Sequence, residues 1–159
     1  TAQLVIGDAI AAALVKIKGF TSNDFAKFHP GGSLGRRLRP VASIMRGLDR
    51  TVMVQSGETL RNTVALIAEK RCGAAFVVDD QNILQGVFTD GDVRRLLSED
   101  NPSLESYVED IMTKSPKSIG PDEPAEVALD RLRIGQINCL AVIDSDGRLL
   151  GHLDIQDVA

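Results

Sequence analysis

The chain has no tryptophan, one tyrosine and five phenylalanines, so aromatics make up only 4% of its 159 residues. With so few stacking side chains and a net charge of −4, it lacks the equipment of a nucleic-acid binder. It has two cysteines, too few for a disulfide framework. Both Cys72 and Cys139 fall at apolar positions beside predicted strands, and we read them as core thiols. There is no secretory signal and no apolar run near the ~18 residues of a membrane span. Those absences point to the reducing cytoplasm. No metal site is expected, and no cofactor is required.

What is present is an internal echo. Gly86-Val-Phe-Thr-Asp-Gly-Asp-Val93 returns, altered, 65 residues on as Gly151-His-Leu-Asp-Ile-Gln-Asp-Val158. The same offset carries Val77-Val-Asp79 onto Val142-Ile-Asp144, whereas Ser43-Ile-Met45 maps onto Asp110-Ile-Met112 at an offset of 67. The copies therefore differ by a two-residue indel. A period of this length, present twice, indicates two copies of one small module, since a solenoid needs more. Two such modules facing each other form a pseudo-two-fold pair, and the clefts between them are natural places for a small ligand.

Hydrophobic periodicity gives each copy the order β-α-β-β-α. In the first, a strand at Val52–Val54 leads to a helix from Leu60 to Arg71, capped by Thr59. Strands at Ala74–Asp79 and Ile83–Thr89 follow, joined by a turn at Asp80-Gln-Asn82, and then a helix from Gly91 to Ser98. The second runs Lys117–Ile119, helix Ala125–Ile134, strand Cys139–Asp144, turn Ser145-Asp-Gly147, strand Arg148–Leu153, then Ile155 onward. The fold class is α/β (α+β), two βαββα layers packed together.

The first 40 residues differ in character. They carry +4, against −8 for residues 41–159. Leu4 to Lys18 reads as a helix apolar on nearly every side, closed by Gly19 as its C′ residue. Such a helix needs burial, and nothing else in residues 1–40 would cover it. We read it as the tail of a domain whose larger part is missing. The chain also ends at Ala159, where a closing helix should begin. Thr21 resembles a helix cap with Asp24 three residues on, and His29-Pro-Gly-Gly32 a tight exposed turn. The expected divisions are 1–40, 41–105 and 106–159, the last cut at its final helix.

These residues carry a resemblance. An Ile-Met pair followed by Gly-x-x-Thr-x-x-Asp at a strand-to-helix junction, twice over, resembles a tandem CBS domain pair. The first copy has the full pattern, and the second has Asp154 where the hydroxyl residue belongs. In front, Gly7-Asp-Ala-Ile-Ala-Ala-Ala-Leu14, Gly19-Phe-Thr, Asp24-Phe-Ala26 and His29-Pro-Gly-Gly-Ser-Leu-Gly35 are similar to the end of a sugar isomerase (SIS) domain. That combination is similar to D-arabinose 5-phosphate isomerases, which join one SIS domain to one CBS pair in this order. The resemblance implies a parent enzyme interconverting D-ribulose 5-phosphate and D-arabinose 5-phosphate for Kdo synthesis, with the acid–base machinery mostly upstream of Thr1. The chain alone is then expected to be inactive.

Each candidate residue has a plainer role to beat. His29 titrates near neutrality and suits proton transfer, and the resemblance makes it an active-site residue of the parent enzyme. Otherwise it closes a turn. Gly86 would let a ligand or backbone approach the strand. Thr89 and Asp92, three apart at a helix entrance, share one face, where backbone N–H groups favour phosphate and a carboxylate can accept from both ribose hydroxyls. Equally, a Thr and an Asp at a helix start simply cap it. Asp157 repeats Asp92, but with Asp154 beside it that entrance repels phosphate while a neutral ribose still fits. Arg94 and Arg95 are expected in solvent, and His152 packed on its strand. The expected ligand is an adenine nucleotide, or the cytidine sugar nucleotide CMP-Kdo by pathway logic. The expected partner is a second copy of the chain, as a homodimer or tetramer, with no nucleic acid and no membrane. The alternative is a ligand-free dimerisation module.

Overall fold

The computed structural model describes residues 2–20, 24, 37–98 and 103–158. The chain divides into two units, 1–39 and 40–159. In the first, α1 spans Ala2–Lys18, and Gly19 ends it in the left-handed region at φ 60°. No residue of α1 is buried, and Leu4, Val5, Ile6 and Ile17 are all well exposed. The expected Thr21 cap and the His29-Pro-Gly-Gly turn lie outside the described residues.

The second unit holds two four-stranded sheets. The strands are β1 (Arg46–Gly47), β2 (Val52–Gln55), β3 (Ala74–Val78), β4 (Leu84–Thr89), β5 (Thr113–Lys114), β6 (Ser118–Ile119), β7 (Cys139–Ile143) and β8 (Leu149–Asp154). The helices are α2 (Leu60–Lys70), α3 (Asp90–Leu97), α4 (Val108–Ile111), α5 (Ala125–Gly135) and α6 (Ile155–Val158). One sheet has the order β2-β3-β4-β5 and the other β1-β8-β7-β6. Helix α2 starts where Thr59 accepts a hydrogen bond from the Asn62 N–H, as its sequence signature predicts.

Each copy lends its leading arm to the other. Strand β1 precedes the first module but pairs with β8 of the second, Arg46 opposite His152. Strand β5 precedes the second module but pairs with β4 of the first, Thr113 opposite Val87. The Val41 N–H donates to the Glu123 carbonyl, and in the mirror position the Val108 N–H donates to that of Glu58. The two offsets in the sequence come from the linker between arm and body. The arms repeat at 67 and the bodies at 65, so the extra residues fall in the turn Leu48–Thr51 that joins arm to body. Two-residue strands show no alternation, so neither is legible in the sequence.

The central strands are apolar on both faces because both faces are covered. In β3, Ala75 and Val77 pack with Leu60, Ile67, Phe88, Leu96 and Val108 of the first module. Leu140 and Val142 of β7 do the same with Ala128, Leu132 and Leu153 of the second. The alternate residues Ala74, Phe76, Val78, Ala141 and Leu149 meet between the sheets. The two modules thus share a third core and form one body.

Candidate functional site

Helix α3 begins at the repeated frame. The backbone N–H and the hydroxyl of Thr89 both donate to Asp92 Oδ2, each at 2.7 Å, while the Arg95 guanidinium donates to Oδ1. Asp92 is 2% exposed. Thr89 and Asp92 are together, as their spacing predicts, but they spend their polar atoms on each other. Arg95 is itself exposed and yet paired to that buried carboxylate. The second copy repeats the geometry, with the Asp154 N–H donating to Asp157 Oδ2 at 3.0 Å. Its arginine comes from elsewhere. Arg46, on the exchanged strand β1, donates through Nε and Nη2 to Asp157 Oδ1 at 3.2 and 3.0 Å. That hydrogen bond raises the guanidinium above its ordinary pKa, against the effect of burial.

The frame glycines have a packing reason. A Cβ on Gly86 would run into the side chain of Met112, just before β5. A Cβ on Gly151 would run into the Arg46 backbone, and Gly151 also sits at φ 157°. Each glycine therefore lets the exchanged arm of the other copy lie close. The approach anticipated at Gly86 is made by a methionine of the chain itself.

Between the modules lies a cleft of about 360 Å³, lined by Ile67, Arg71 and Cys72 at the end of α2, Asp90 at the start of α3, Arg46 and Asp154 from the second sheet, and Gln156 of α6. It falls near the lower end of the ~300–1,000 Å³ range of small-ligand pockets. Gly86, Thr89, Asp92 and Asp157 do not line it, whereas Asp154 does. Arg46 and Arg71 escaped the sequence reading because neither belongs to the repeated frame, and Gln156 because its place in that frame is held by Gly91 in the first copy. A second hollow of about 320 Å³ lies within the second module, beside Ser118, Glu123, Arg131 and Asp144. There Arg131 is paired with Glu123 at 2.6 Å. Both cysteines are free thiols, as expected, and burial pushes that of Cys139 up to about 11. Among the described residues no group has the make-up of a metal site, and no helix is long and apolar enough to cross a membrane.

The two copies of this arrangement, residues 41–99 and 108–159, each match the family model of the CBS domain. The chain belongs to the CBS domain family. Among curated proteins it is 39% identical to the arabinose 5-phosphate isomerase KdsD of Francisella tularensis and 38% identical to that of Escherichia coli. Each match covers 99% of this chain and 48% of the relative, so the chain spans about half the length of the curated relatives it matches. Among solved structures, CBSX2 of Arabidopsis thaliana in complex with AMP superposes with a TM-score of 0.66 at 27% identity. That alignment covers 75% of this chain and 92% of CBSX2.

Proposed function

We propose that this chain is the nucleotide-sensing CBS pair of a D-arabinose 5-phosphate isomerase, held in the cytoplasm. The observation that carries the reading is the open cleft between the modules, in a chain of which 99% aligns with about half of each curated isomerase. A carboxylate, Asp154, stands at one wall to accept ribose hydroxyls, and Arg71 stands at the rim to meet a phosphate. The AMP bound to CBSX2 supports an adenine nucleotide as the ligand; CMP-Kdo is the alternative suggested by the relatives' pathway. His29 is assigned to acid–base work in the full-length enzyme. The chain by itself binds but does not isomerise.

Ligand at the first copy's own entrance requires Asp92 to release Thr89 and Arg95. That satisfied carboxylate favours a second reading, a ligand-free module in which the frame only caps helices. Thermal-shift titration separates the two. AMP or CMP-Kdo at ~100 times its dissociation constant should stabilise the fold by about 2.7 kcal/mol. Asp154→Ala should abolish the gain if the cleft is the site, and Asp92→Ala if the first entrance is. The same preparation should turn over no D-ribulose 5-phosphate. The absence of a shift with every adenine and cytidine nucleotide would leave the structural module standing.

A further inference from the structure

His152 stands where the repeat breaks its own symmetry. Its counterpart on β4 is Val87. Its neighbour across β7 is Ala141, and the counterpart of Ala141 is Phe76. The Phe76 ring crosses the inter-sheet core to lie 5.6 Å from the imidazole, centroid to centroid, at 34°. His152 is fully buried, as is Thr51, which belongs to the turn that is longer in the first copy.

Thr51 Oγ1 lies 2.8 Å from the Gly47 carbonyl and 2.8 Å from His152 Nδ1. One hydroxyl proton cannot serve both, and a carbonyl can only accept. The arrangement that satisfies all three sends the hydroxyl proton to Gly47 and has Nδ1–H donate to Oγ1. Nε2 is then a bare lone pair, and it has no polar partner among the described residues. A second proton there would be a buried N–H with no acceptor, on a charged ring. The charged groups around the ring are Arg46 on β1, Arg50 in the turn, Asp154 at the end of β8 and Asp157 on α6. Arg46 and Asp157 are engaged with each other, while β3 brings Phe76 against the ring and β7 pairs Ala141 opposite it.

We propose that His152 and Thr51 form a proton-sensitive latch between the two modules, closed while the imidazole is neutral and released when it takes a second proton. The latch ties β8 and the end of β1 to Thr51, the residue that leads into β2. Burial, and then the Arg46 charge, lower the His152 pKa from 6.5 to about 4. The unfolded chain therefore binds the proton first. The stabilising contribution of the neutral ring is complete above about pH 6.5 and is lost progressively as pH falls toward 4. Arg46 also lines the cleft, so opening the latch loosens one cleft wall. That consequence rests on the cleft being the ligand site, whereas the latch itself does not.

The test is an imidazole ¹⁵N–¹H correlation spectrum of the 159-residue chain between pH 8 and 4. There are two histidines, and His152→Val identifies the His152 signal by its loss. The expected result is a neutral Nδ1–H tautomer that persists to near pH 4, while the melting temperature falls more steeply with acid in the wild type than in His152→Val. A His152 ring titrating near 6.5, an Nε2–H tautomer, or equal acid slopes in the two proteins would overturn the latch. If His152→Val does not fold, Thr51→Val identifies the signal by displacing it, and the wild-type titration decides.

Discussion

At the scale of single residues, the two frame glycines look alike in sequence and differ in what they face. Gly86 faces the end of a flexible methionine side chain, which can swing away. Gly151 faces backbone, and its φ of 157° is one that side chains other than glycine's rarely adopt. Gly151→Ala should therefore cost about 3 kcal/mol or more and Gly86→Ala about 1–2 kcal/mol, read from urea midpoints. Equal costs would mean that the exchanged arm at Gly151 yields as readily as Met112. The same contrast separates Asp92 from Asp157. Both cap a helix, but one takes its arginine from its own helix and the other from the opposite copy's arm.

At the scale of elements, the exchanged strand β1 is only two residues long, and two ladder positions alone would hold it weakly. Its anchor is Arg46 on Asp157, with side chains 16% and 21% exposed. Asp157→Asn keeps an oxygen for the Asp154 N–H but leaves a half-buried guanidinium without its counter-charge. The expected loss is about 1–3 kcal/mol. Asp157→Ala removes the cap as well and should cost about 1 kcal/mol more. Hydrogen exchange on β1 and β8 would show whether the strand frays in the Asn variant, and unchanged protection would place its anchor elsewhere. Helix α5 offers a comparison, because Pro124 at its start supplies no side-chain cap and the helix rests on Ala128, Leu129 and Leu132 in the core.

At the scale of the whole molecule, apolar surface is left over. Ile134 is 82% exposed on α5, and Ile17 is 80% exposed on α1. A symmetric second copy covering such surface gives a dimer without new chemistry. Sedimentation at high micromolar concentration should show a dimer or larger species, and Ile134→Glu should shift it toward monomer if α5 forms the contact. A strictly monomeric wild type would refute self-association. A dimer indifferent to Ile134→Glu would move the contact off α5.

The sequence by itself determined the doubling, the β-α-β-β-α order and the helix start at Thr59, because each rests on local spacing. Alternation, capping and turn chemistry act within a few residues and so leave a local record. It also brought Thr89 and Asp92 together, since three residues on a helix entrance fix their proximity. What it could not show was where their polar atoms go, which depends on Arg95 and on burial. The unequal offsets, 67 and 65, record only a longer linker in the first copy, and the exchange of β1 and β5 needed the partner strand in view. Arg46, at position 46, reaches Asp157 across 111 residues of chain, and no period connects them. His152 is one residue in a strand by sequence. Only the packing of Phe76 from the other sheet and of Thr51 from the turn after β1 removes it from water and changes its chemistry, because desolvation is a property of the assembled core and not of the chain.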